Sequence, residues 1–228
     1  MKPLSLLSLV LVSPLAGCGG ASGVGQDSAL VTPTYFAAKV DHPFFPITAG
    51  RTWIYEGDEG GLPKREEVRT LDQPRVLQGV ACTAIEERIF IEGVLTAVTT
   101  EWFAQDIRRN LWKFGEESLE FVGGVLTPTA DSWVAGVNDG RPWMMLTAAP
   151  RVGEIYSGYR PGGIDEFEVV SVSATAANPA GVFLNCLEMV ENPDDPADTD
   201  IILYASGVGR VSESDPNGRV DLVSVDGP

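Results

Sequence analysis

Apolar and polar side chains alternate with a period of two along most of this chain, and no stretch sustains the 3.6-residue period of an amphipathic helix. In Thr52-Trp53-Ile54-Tyr55 the two large aromatics share one face. The runs 87–91 and 94–103 flank Glu92-Gly93, and glycine's access to positive φ suits a two-residue hairpin turn there. The second run continues to Gln105, turns through 106–110 and returns over 111–115; a third hairpin reads 119–122, Gly123-Gly124, 125–127. Further strands are expected over 154–159, 167–173, 182–190, 201–205, 209–213 and 220–225. Roughly ten short strands at this spacing predict an all-β, predominantly antiparallel domain, either a β-sandwich or a curled, barrel-like sheet. The 25 glycines and 16 prolines fall mainly between the runs as turn punctuation, and 192–200 is the most loop-like stretch.

The first residues follow a different pattern. Met1-Lys2 leads into an apolar run over 4–12, interrupted at Pro14 and followed by Leu15-Ala16-Gly17-Cys18. The run is far below the roughly 18–20 apolar residues needed to span a bilayer, so it predicts a removable signal peptide over 1–17. Leu15-Ala16-Gly17-Cys18 resembles the bacterial lipobox, which implies lipidation of Cys18 and cleavage on its N-terminal side. Several acyl chains on one residue anchor firmly, because each buried CH2 contributes about 0.8 kcal/mol. Gly19 and Gly20, where an Asp would favour inner-membrane retention, point to the outer membrane if the host has two. Residues 18–34 then form a Gly-, Ser- and Ala-rich flexible tether, and 35–228 a single β-rich domain.

Charge narrows the partners. The chain carries 16 basic and 32 acidic side chains, a formal −16 that becomes one more negative once Lys2 leaves with the signal. Such a balance argues against nucleic acid and against adhesion to anionic headgroups, while permitting cationic partners or divalent metals. Cys82 and Cys186 remain after lipidation, each in a predicted strand and outside any metal-ligand spacing. In an oxidising envelope the expectation is a structural disulfide, with two separately buried thiols as its alternative.

The block Pro43-Phe44-Phe45-Pro46-Ile47-Thr48-Ala49-Gly50-Arg51-Thr52-Trp53-Ile54-Tyr55 resembles the domain opening of a family of uncharacterised bacterial secreted proteins and lipoproteins. The likeness extends to Trp102-Phe103-Ala104-Gln105-Asp106, to 110–115, to 181–187 and to 204–211. It implies a β-rich exported domain and no known activity. Family members often carry an acidic, calcium-like loop at the 106–110 turn, whereas Arg108 and Arg109 stand in its middle here.

Chemistry-bearing patterns are sparse. His42 is the one histidine, it precedes Pro43, and no G-x-S-x-G elbow accompanies it, so a structural role is expected and no catalytic residue is assigned. Calcium, which takes oxygen ligands, has weak candidates in Asp194, Asp195, Asp198 and Asp200, with Asp165, Glu166 and Glu168 as a second cluster; neither fits the EF-hand spacing. Trp53, Tyr55, Trp102, Phe103, Trp112, Phe114, Trp133 and Trp143 fill a β core or line a cavity for an apolar ligand. The expected function is therefore a non-enzymatic, membrane-anchored envelope lipoprotein that binds a protein partner or small apolar ligand. A carboxylate- or calcium-dependent hydrolase is the alternative from another class, and a structural envelope component the third. Sheltered carboxylates in one concave pocket would favour the hydrolase, and a dry aromatic cavity would favour binding.

Overall fold

Residues 31–37, 39–160 and 163–227 are described by a computed structural model, the Arg160 side chain excepted. The expected signal peptide, Cys18 and the expected tether up to residue 30 lie outside the described residues. A single 3-10 turn, Pro33–Tyr35, precedes the strands, and no α-helix occurs among the described residues. The strands are β1 Thr52–Glu59, β2 Leu62–Thr70, β3 Arg75–Leu77, β4 Val80–Ile91, β5 Val94–Gln105, β6 Leu111–Val122, β7 Val125–Pro128 and β8 Trp133–Val134. They continue as β9 Trp143–Leu146, β10 Ile155–Arg160, β11 Gly163–Asn178, β12 Gly181–Glu191, β13 Asp200–Ala205, β14 Gly209–Asp215 and β15 Gly218–Asp226.

The expected antiparallel all-β fold is observed, as one large sheet. Strands β10 to β15 pair in chain order, β15 pairs β1, and the sheet runs on through β2, β4, β5, β6 and β7. Strand β3 lies on β4, and β6 carries β9, β8 and β7 in turn along its outer edge, through Lys113↔Trp143, Glu116↔Trp133 and Phe121↔Leu126. The register shifts leave extra residues in β5, β6, β9, β11, β12, β14 and β15, among them Thr96, Phe114, Met145, Val211 and Val223, and each such bulge bends its strand and increases the local twist. The sheet curls until β9 meets β10: the Trp143 ring lies so close to Gly158 that an added Cβ would sit 2.9 Å from it. Trp143 also stacks on Phe167 of β11, with centroids 5.3 Å apart.

Two apolar clusters follow from this curl. The larger gathers Trp53, Tyr55, Phe103, Leu187, Met189, Tyr204 and Leu222, among others, from strands all around the sheet. The smaller lies on the other face of β4–β6, where Leu77, Val80, Cys82, Ala84, Trp102 and Phe114 meet. Full burial of such side chains contributes about 1.5–3 kcal/mol each, so both clusters hold the curl closed. The disulfide expected between Cys82 and Cys186 is absent. Both are free buried thiols, and they belong to different clusters, Cys82 to the smaller and Cys186 to the larger. Their Sγ atoms approach local carbonyls, of Val80 at 3.6 Å and Phe183 at 3.5 Å, and burial pushes the Cys82 thiol up to about 12.

Three local departures from the expected strands have physical causes. The runs 111–115 and 119–122 are one strand, β6, because Gly115 at φ +151 admits the Trp133 backbone without ending the ladder; an added Cβ would lie 2.6 Å from the Trp133 carbonyl oxygen. Strand β2 is hidden in the sequence because Lys64 and Glu66 point to one side and Arg65 and Glu67 to the other, so charge masks its period. The hairpin turn at 92–93 is as expected, with positive φ at both Glu92 and Gly93.

Candidate functional site

Antiparallel order sends the turns at 60–61, 92–93, 123–124 and 216–217 and the 192–199 loop to one end of the curl. The opposite end is crossed by residues 41–47. The Asp41 N–H donates to Gln105 Oε1 at 3.0 Å, the Gly207 N–H donates to the Pro43 carbonyl at 2.7 Å, and the Phe45 ring lies 4.8 Å from that of Phe103. Between the crossed end and the turn end the concave face encloses a cavity of about 490 Å3.

The cavity has two kinds of wall. Toward the crossed end it is apolar, with Phe45, Ile47, Trp53, Phe103, Ile202 and Tyr204. Trp133, Trp143 and Phe167 continue that surface up one side, where β8 and β9 lie on β6 and meet β10 and β11. Toward the turn end the lining becomes acidic: nine carboxylate side chains and two cations, Lys113 and Arg210, line the cavity among the described residues.

Both cations are already engaged. Lys113 Nζ lies 2.6 Å from Glu101 and 2.5 Å from Glu116, and these carboxylates hold its pKa above the ordinary lysine value against the opposing effect of burial. Arg210 pairs with Glu66 and Glu213 and with Glu87 at 3.0 Å, and its guanidinium sits 4.2 Å over the Tyr55 ring. Burial opposes ionisation of Glu66, but Arg210 and then Lys64 outweigh it and keep this carboxyl below its ordinary pKa. Glu87 is the surplus carboxyl around that shared guanidinium; burial and then the Glu66 charge push it up to about 8 despite Arg210.

A second acidic group has no such ion pair among the described residues. Glu191 and Asp200 are register partners across β12 and β13, and neither forms an ion pair with a described residue. Burial, then Asp200 and Asp165, push Glu191 up to about 8. Burial, then Glu213, push Asp200 up to about 6. Lys113 and Lys64 offset these shifts only in part, so the pairing leaves two carboxyls of raised pKa in the cavity wall.

Of the aromatics picked out in the sequence, Trp53, Tyr55, Phe103, Trp133 and Trp143 line the cavity, whereas Trp102, Trp112 and Phe114 pack on the other face. The weak calcium candidates separate: Asp198 and Asp200 reach the cavity, and Asp194 and Asp195 do not. Asp165 also lines it, but Glu166 and Glu168 do not. No group of three or more His, Cys, Asp or Glu side chains arranged to hold a metal ion occurs among the described residues. At the 106–110 turn the Asp106 carboxylate is filled by protein donors, accepting from the Arg108 and Asn110 N–H groups at 2.8 and 2.9 Å and from Trp112 Nε1 at 3.1 Å.

His42 is fully buried away from the cavity, with Nε2 3.0 Å from the Thr147 carbonyl oxygen and Nδ1 accepting from the Phe44 N–H at 3.3 Å. The hydrogen-bond pattern therefore assigns the proton to Nε2, and burial holds the ring's pKa below the ordinary histidine range. Sequence reasoning passed over Glu66, Glu191, Lys113 and Arg210. Charge masks the period of β2, and nothing local reveals that Arg210 meets carboxylates from β2 and β4. No family model, no curated protein and no solved structure matches this chain.

Proposed function

We propose that the protein is a lipid-anchored envelope lipoprotein whose β domain binds a small ligand with an apolar body inside the curled sheet, without chemical conversion. The observation that carries this reading is the cavity of about 490 Å3, walled by aromatics from both ends of the strand order. That volume falls within the roughly 300–1,000 Å3 of small-molecule sites, and the aromatic wall toward the crossed end suits an apolar body while the carboxylates toward the turn end face its polar part. Cys18 would hold the domain at the membrane through the tether, in keeping with the lipobox-like tetrad. The outer membrane is the proposed location if the host has two.

A carboxylate-dependent hydrolase is the second reading, favoured by the raised pKa values of Glu87 and Glu191 in the same cavity. A carboxyl that keeps its proton near neutral pH beside one that ionises is the pairing acid–base hydrolysis needs. Native mass spectrometry of the domain, exported to its own host's envelope with Cys18→Ser behind a cleavable secretory signal, separates the readings. An intact small molecule retained at one per chain is the expected result. A bare mass, under conditions that preserve a lipid-carrier control, would overturn the binding reading.

A further inference from the structure

We infer that the ligand is a cationic amphiphile, an apolar chain or ring system bearing a protonated amine or quaternary ammonium, seated apolar part first with its cation between the aromatic wall and the Glu191–Asp200 pair. This deepens the binding reading above and rests on it.

The order of the walls sets the orientation. Residues 41–47 close the apolar end, so a ligand's apolar part reaches Phe45, Trp53 and Phe103, and its headgroup stays toward the turns. At that level the headgroup meets Trp133, Trp143 and Phe167 on one side and carboxylates on the other. Aromatic faces combined with carboxylates attract a cation through the ring quadrupole and through charge, and suit weakly hydrated ammonium groups especially.

Among the described residues the charge arrangement disfavours the opposite class. An anionic headgroup would need a cation with free valence, yet Lys113 is held between Glu101 and Glu116 and Arg210 among Glu66, Glu87 and Glu213. It would also face Glu191 and Asp200, which no described side chain neutralises by an ion pair. A cation placed between these two favours the ionised form of both carboxyls. Burial already holds Glu191 near 8 and Asp200 near 6, so a bound cation would draw both toward ionisation and displace protons.

The test uses three probes with the same twelve-carbon chain, each below its micelle concentration: dodecyltrimethylammonium, dodecyl maltoside and dodecanoate. Affinities are read by calorimetry on the Cys18→Ser chain. Dodecyltrimethylammonium is expected to bind about ten-fold or more tighter than the maltoside, with dodecanoate weakest. In a Glu191→Gln, Asp200→Asn double variant the ratio of cationic to neutral affinity falls toward one; the single variants give the same direction should the double variant not fold. If the maltoside or dodecanoate binds as tightly as the cation, or the ratio survives in the variants, the cationic assignment is overturned while apolar-ligand binding stands. If none of the three binds, both are overturned.

Discussion

At the residue scale, this domain concentrates its carboxylates in a place that disfavours their charge. Glu191 has its pKa pushed up to about 8 by burial first and then by Asp200 and Asp165. A carboxyl raised in the folded state above its ordinary value near 4.5 contributes stability that is fully present below that value and is lost as pH rises through the folded one. The folded protein should therefore lose stability between pH 5 and 8, with Asp200 adding to the lower part of that window through its value of about 6. Glu191→Gln is expected to flatten the decline and to raise Tm at pH 8 by roughly 2–6 °C, with little change at pH 4.5. Thermal unfolding followed across that range checks it, and an equal gain at both pH values would show that Glu191 is not held protonated. Sequence could not reveal this group. Glu191 falls there between the expected strand 182–190 and the loop-like stretch 192–200, and only its pairing with Asp200 brings two carboxylates against the cavity.

At the element scale, the hairpins were legible and the joins between non-consecutive strands were not. A hairpin is local: the run, the Glu92-Gly93 turn and the returning run lie within twenty residues, and period-two patterning with a positive-φ turn determines it. The β1–β15 join, by contrast, pairs Thr52 with Asp226 and unites the two halves of the chain. It depends on close approach at two glycines: a Cβ on Gly57 would lie 1.8 Å from the Arg219 carbonyl oxygen, and one on Gly218 would lie 2.0 Å from that of Asp58. Gly57→Ala should force the strands apart. The expected cost is at or above the upper end of the roughly 1–3 kcal/mol typical of overpacking, seen as a lower urea midpoint. An unchanged midpoint would mean that β1 and β15 are not in contact there. Strand β2 was missed for a different reason. Charged Lys64 and Glu66 take the inward positions ahead of Val68, so the strand shows little of the hydrophobic contrast that marks the others.

At the scale of the whole molecule, one sheet curls to build a large apolar cluster on its concave face and a smaller one on the opposite face of β4–β6. Cys82 and Cys186 fall in different clusters as free thiols, and Cys82 is held un-ionised by burial. Neither thiol should react with a thiol reagent in the native state, both should react after unfolding, and reductant should leave Tm unchanged; a drop in Tm on reduction would restore the disulfide. The sequence by itself determined the β class, the antiparallel hairpins, the turn positions and the acidic balance, because each depends on side chains within one strand or two neighbouring ones. It also supplied aromatics for a cavity without telling which of them would face it. Trp53 and Trp133 do, whereas Trp102 and Trp112 pack outside. The tertiary structure alone decided that division, the separation of the cysteines and the meeting of Arg210 with Glu66 and Glu87. These depend on bulges that reset which face a side chain takes and on a curl that brings distant strands together, and neither is encoded in the period of any single strand.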